Sequence, residues 1–136
     1  MKYMLLMNTP RDGYAQYMSW PKKILEANIA FMQAMSRKLS ASGELVSTQG
    51  LASPQQAKLV RAGQGGKPIT DGVFPESKEF LAGYWLVDVE SPQRAYEIAA
   101  EVSTAPGGTV TGADGKPLEH FWIEVRQVMS SVEDLK

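Results

Sequence analysis

The residues best suited to chemistry in this 136-residue chain crowd into Asp71-Gly72-Val73-Phe74-Pro75-Glu76-Ser77-Lys78-Glu79. Charged side chains, a turn glycine, a fixed proline and an apolar aromatic stand side by side there. The apolar run Gly83-Tyr84-Trp85-Leu86-Val87 follows almost at once. Loops that deliver polar groups to the end of a sheet are where chemistry commonly sits. Asp71 is the candidate general base or ligand anchor, oriented by Lys78 or Arg126. Asp-Gly is equally a turn signal, with the Asp accepting backbone N–H bonds and the Gly taking positive φ. Phe74 either plugs the loop into the core or lines a pocket. Glu76, Lys78 and Glu79 read as a solvated turn whose local ion pairs are worth little.

His120 is the single histidine. It titrates near neutral pH without any shift, which makes it the second catalytic candidate. Packing beside Phe121 and Trp122 is the plainer reading. Metal chemistry has no support: the chain has no cysteine, and one histidine with scattered carboxylates shows no ligand spacing. No cofactor-binding motif is present either. The glycines of Gly63-Gln64-Gly65-Gly66-Lys67-Pro68 fit neither a dinucleotide fingerprint nor a P-loop, so they read as turn chemistry.

A pocket needs walls, and the chain offers several. Tyr14, Tyr17 and Trp20 fall in a segment, Asn8 to Trp20, that reads as a loop. They pack over the core edge or line a cleft. Asn28 lies near the middle of an apolar helical stripe, where its amide must find partners. Neighbouring backbone or a bound ligand could supply them. The candidate binding set is therefore Tyr17, Trp20, Asn28, Phe74, Lys78 and Arg126. No complete catalytic constellation can be assembled from it.

The elements that position these residues follow from periodicity. Tyr3 to Met7 is continuous apolar and reads as a central strand, its run too short for a signal peptide. A long helix is expected from Ser19 as cap and Pro21 in the first turn to about Ser42, stopped by Gly43. Ile24, Leu25, Asn28, Ile29, Phe31, Met32, Met35 and Leu39 share one face of it. Leu45 to Leu51 and Ala57 to Ala62 read as strands, with Pro68 to Thr70 as a short return. Leu81 to Val89 is the clearest strand. Ser91 caps a second helix, Pro92 to about Val102, with Ala95, Ile98, Ala99 and Val102 on its stripe. The Gly- and Pro-rich stretch 103–119 is a long loop or an exposed hairpin. Phe121 to Val128 closes the domain as a last strand.

That order makes two β-α-β halves with a hairpin inserted. It specifies an α+β, ferredoxin-like antiparallel sheet with two helices on one face. Residues 1–128 form one domain and 129–136 a polar tail. The bare sheet face carries one of Tyr84 or Trp85 and one of Phe121 or Trp122, and is best covered by a second copy. A homodimer through that face is expected. Fourteen basic against fifteen acidic residues, net charge −1, give no pull toward nucleic acid or an anionic membrane. No apolar run has the length to cross a bilayer. A cytoplasmic location is the expectation.

The chain resembles the YCII-related family, in its DGPF branch. The resemblance rests on Met1-Lys2-Tyr3-Met4-Leu5-Leu6, Gly43-Glu44-Leu45, Gly50-Leu51, Asp71 to Glu79, Gly83-Tyr84-Trp85 and Glu124-Val125-Arg126. It implies a dimeric α+β barrel. Some relatives look like small enzymes using a His–Asp pair, and some DGPF proteins are associated with transcription. Two departures stand out. Val73 replaces the proline usual in the branch, and the helix histidine of YCII enzymes has no counterpart, with Met32 or a neighbour in its place. An activity that needs that histidine does not carry over. Three functions stay open: a cofactor-free acid–base enzyme using Asp71 and His120, a small-molecule binder, and an interaction module.

Overall fold

In the computed structural model, which describes residues 1–10, 13–72, 79–107, 110–111, 117–118 and 121–130, the opening apolar run is a strand, β1 (Lys2–Pro10). Its side chains alternate across the sheet: Tyr3 and Leu5 are buried, while Met4 and Leu6 are half-buried on the opposite face. β1 pairs antiparallel with β5 (Glu79–Asp88) on one side and β8 (Glu124–Gln127) on the other. β2 (Leu45–Gly50) adds to the far edge of β5 and completes the order β2-β5-β1-β8. This is the ferredoxin-like arrangement expected of two β-α-β halves.

Leu5 sits opposite Trp85 on β5 and Val125 on β8, so these three share one face. The helices α2 (Lys22–Ala41) and α3 (Pro92–Val102) both cover it. Met35 and Leu39 from α2 join Ala95, Ile98 and Val102 from α3, and Tyr3, Leu5, Trp85 and Val87 from the sheet, in one continuous core. The α3 stripe is buried as its spacing requires. Ser91 accepts the Arg94 N–H at 3.2 Å and caps it. No helix among the described residues is long and apolar enough to cross a membrane.

Several local expectations need correction. The segment before α2 is not all loop: β1 runs on to Pro10, and α1 (Gly13–Met18) forms a short helix. Ser19 does not cap α2. Its hydroxyl donates back to the Gln16 carbonyl at 2.7 Å and closes α1, a bond that serine makes readily to the preceding turn. Pro21 occupies the cap position of α2 and brings no capping side chain. Ile29, counted on the buried stripe, is exposed; Asn28, Met35 and Leu39 are buried, Phe31 and Met32 pack partly buried against the core, and Ile24 and Leu25 are half-buried. Asp71 and Gly72 end a strand: β4 (Pro68–Gly72) pairs with β3 (Lys58–Ala62) as a separate two-stranded sheet. The last strand pairs only over β8, so Phe121 and Trp122 precede the ladder and do not alternate on the sheet. The 103–119 stretch contains a minimal hairpin, β6 (Val110–Thr111) with β7 (Pro117–Leu118).

The end of α2 shows how local and long-range order connect. Gly43 takes φ +76°, while Gly43 N–H bonds Ser40 O at 3.1 Å and Glu44 N–H bonds Leu39 O at 2.9 Å. That is a Schellman termination. It delivers Glu44 to α3, where Arg94 grips the carboxylate twice, Nε to Oε2 at 2.8 Å and Nη2 to Oε1 at 2.9 Å. Ser42 Oγ donates a third bond at 2.7 Å. Chiefly through the Arg94 bonds, the Glu44 carboxyl is lowered to about 2. A folded-state value below the unfolded 4.5 means the stabilisation is present above that range and lost as pH falls from there toward 2. Replacing Glu44 by Gln is expected to cost about 2 kcal/mol at pH 7. In denaturant unfolding, the gap between wild type and variant should narrow as pH falls below 4.5 and close near pH 2. A gap independent of pH would refute the charged clamp.

Candidate functional site

Three of the predicted binding residues come together. Tyr17 and Trp20, on α1 and its exit, stack with ring centroids 5.1 Å apart and planes inclined at 57°. The Trp20 ring lies against Gly107, where a Cβ would come within 2.9 Å of Cη2, so a side chain at that glycine would collide with the indole. Asn28, 7% exposed, donates its amide to the Pro106 carbonyl at 2.8 Å. All these contacts converge on Pro106-Gly107, the segment leaving α3. The Asn28 amide thus finds backbone, but backbone 78 residues along the chain instead of its own neighbours. The Trp20 Nε1–H is buried and has no acceptor among the described residues, as is the case for Trp85 Nε1–H in the core.

The other candidates stand elsewhere. Asp71 lies opposite Leu59 in the β3–β4 hairpin, exposed, with Oδ1 accepting the Gly72 N–H at 2.8 Å. The expected Asp-Gly turn with glycine at positive φ is not formed there: both residues belong to strand β4, and Gly72 does not take positive φ. Arg126 sits opposite Met4, with Nε 3.5 Å from Glu124 Oε2. It has no ion pair with Asp71 among the described residues. Phe74, Lys78 and His120 lie outside the described residues. So do all of residues 73–78, on which the acid–base reading depended.

Two open grooves of about 430 Å³ each are present among the described residues. One runs between α3 and the approach to β8, walled by Tyr96, Ala99, Ala100, Ser103, Phe121, Trp122, Ile123 and Val125. The other lies at the root of the hairpin, between Leu51–Ala57 residues and Phe80-Leu81. Neither is lined by a charged side chain. Ser103 donates to Ala100 O at 2.6 Å and Ser53 accepts the Gln55 N–H at 3.3 Å, while Tyr96 brings a phenol to the wall of the first groove. Such largely apolar walls suit apolar groups. No group of His, Asp and Glu that could hold a metal is found among the described residues. Sequence reading missed both grooves, since alanines and segments far apart in the chain build them. Trp122, 87% exposed at the rim of the first, was the one visible signal.

The outer sheet face is a further apolar feature. Met4 lies opposite Leu86 and Leu6 opposite Tyr84, giving a block of four half-buried side chains. Glu124 and Arg126 border it on β8, and Ser47 Oγ reaches the Tyr84 hydroxyl at 3.1 Å on the other side.

The YCII-related domain matches this chain over residues 1–116. An uncharacterised protein of Rhizobium meliloti (strain 1021) is 31% identical over 91 residues, 67% of this chain and 73% of the relative. The matched span takes in the sheet strands β1, β2 and β5, both long helices and the hairpin.

The tether at Pro106 can be weighed. Asn28→Ala removes a buried donor and leaves its carbonyl partner unpaired, at an expected cost of about 2 kcal/mol. Asp71→Ala, at an exposed hairpin position, should stay within about 0.5 kcal/mol. Equilibrium unfolding of both variants checks the contrast; equal losses would mean Asp71 makes contacts beyond Gly72.

Proposed function

This chain belongs to the YCII-related family, and from that premise we propose that it works as a homodimeric interaction module with no catalytic role for the hairpin carboxylate. The observation that carries this reading is the outer sheet face, where Met4, Leu6, Tyr84 and Leu86 form an apolar block that no helix among the described residues covers. Contiguous apolar surface with a polar rim marks an interface, and a two-fold dimer covers it with its own copy. A dimeric α+β barrel results. Asp71 supports the same reading from the other direction: it is exposed, its Oδ1 accepts the Gly72 N–H, and it has no ion pair among the described residues. The DGPF branch, argued from Asp71 to Glu79, and a cytoplasmic setting, consistent with a cysteine-free chain, belong to this proposal.

One observation favours a second reading. A buried indole N–H without an acceptor is uncommon, and Trp20 offers one beside Tyr17 and Asn28. A small ligand carrying an acceptor group would satisfy it. Acid–base chemistry by Asp71 and His120 is a separate reading, since Asp71 stands on the β3–β4 hairpin and not beside Trp20. A compound that raises the melting temperature of wild type and not of Asp71→Asn would support it.

The dimer is tested by sedimentation velocity on wild type and Leu86→Asp. Wild type should sediment at twice the monomer mass. The variant should keep its far-ultraviolet circular dichroism and weaken association by about 100-fold or more, since each charge would be buried against its symmetry mate. A monomeric wild type, or a variant that dimerises as well, overturns the reading.

A further inference from the structure

The hairpin β3–β4 is a two-stranded ribbon on its own, and every residue of both strands is exposed. Isolated ribbons of this kind are marginal in water. This one nevertheless carries Leu59 at 38% and Ile69 at 42% exposure. Its register puts Leu59 opposite Asp71 and Arg61 opposite Ile69. Directly opposed residues share a face, so these four side chains occupy the corners of one rectangle. The apolar pair spans one diagonal and the opposite charges span the other. Diagonal neighbours are about 7–8 Å apart at the backbone, and among the described residues neither Arg61 nor Asp71 has an ion pair. Ile69 is held in place by the turn, its Cδ1 2.8 Å from where a Gly63 Cβ would stand.

We propose that this face is a self-complementary contact for a second copy of the chain, closed by two reciprocal ion pairs between Arg61 and the partner's Asp71. A two-fold axis along the apolar diagonal lays each Arg61 over the partner's Asp71 and brings Leu59 onto the partner's Leu59 and Ile69 onto the partner's Ile69. Axes along or across the strands set both charges against apolar side chains instead, which leaves them unpaired. The arrangement is isologous, as closed dimers require. The opposite face of the ribbon, with Lys58, Val60, Ala62, Pro68, Thr70 and Gly72, has a cation and no acid, and cannot pair with itself in this way. Charge complementarity therefore selects both the face and the occupant. The contact is separate from the outer sheet face, to which none of the four residues belongs.

The test uses charge reversal and mixing. Sedimentation velocity is run on the full chain over about 1 µM to 1 mM, because a four-residue contact is weak. Arg61→Asp leaves an all-acidic face and Asp71→Arg an all-basic one. Each alone should weaken the assembly that wild type forms by about tenfold or more. A one-to-one mixture of the two variants should recover the wild-type assembly, because each all-basic face then meets an all-acidic one. A pair acting within one chain cannot recover on mixing. Single variants that assemble like wild type, or a mixture no larger than its components, overturn the proposal. Leu86→Asp probes the other surface, so the failure of one contact is told apart from the failure of the other.

Discussion

A sheet with both helices on one side must also account for its other side. The alternation of β1 and β5 sends Leu5, Trp85 and Val87 to the helices and Met4, Leu6, Tyr84 and Leu86 away from them. A period of two gives no third option: every residue added to one face is matched by a neighbour on the other. Had the outward set been charged, the monomer would be complete. Instead it is apolar at its centre and charged at its margins, with Glu124 and Arg126 on β8 and the opposed Lys2 and Asp88 at one end. Burial of apolar surface dominates folding and association alike, so the same force that seats α2 and α3 also acts on the bare face.

How α3 is seated governs the rest of the candidate region. The Glu44–Arg94 clamp ties its first turn to the start of β2, and Lys38 pairs with Glu101 near its last turn. The first is partly buried and bidentate, whereas the second is exposed and contributes little. With the helix held, the chain leaving it places Pro106 over Asn28 and Gly107 under Trp20. A carboxylate at the end of α2 thus reaches, through one helix, the aromatic pair at the end of α1. The Gly43-Glu44-Leu45 resemblance finds its meaning here as scaffold: glycine ends the helix, glutamate clamps, and leucine enters the core margin.

Legibility in the sequence tracked the range of the interaction. Stripes and alternation are local, so the four sheet strands, both long helices and the ferredoxin-like order could be read directly. The Ser91 cap and the Gly43 stop were visible for the same reason. Ser19 misled because serine serves equally as a cap ahead or a closing bond behind, and only the α1 turn decides between them. Asn28 announced that it needed a partner without saying which, since Pro106 is distant in the chain. Arg94 gave no signal at all. On a helix surface it is indistinguishable from a solvated arginine until Glu44 arrives from the other half. The grooves, lined by alanines and main chain, leave no pattern to read.

Asp71 shows most clearly why residue type alone cannot assign chemistry. A catalytic carboxylate needs a dry wall, a charged neighbour or a like charge to move its affinity for protons toward neutrality. Position 71 lies on a strand exposed on both faces, and its partner across the ladder is Leu59. What the position does supply is register. Because Asp71 falls opposite Leu59 and shares a face with Arg61 and Ile69, it belongs to a pattern of charged and apolar side chains set by the ladder. The self-contact proposed above would use that carboxylate for recognition and not for proton transfer. On that proposal the exposure of the hairpin, a liability for an isolated ribbon, is what lets two copies meet.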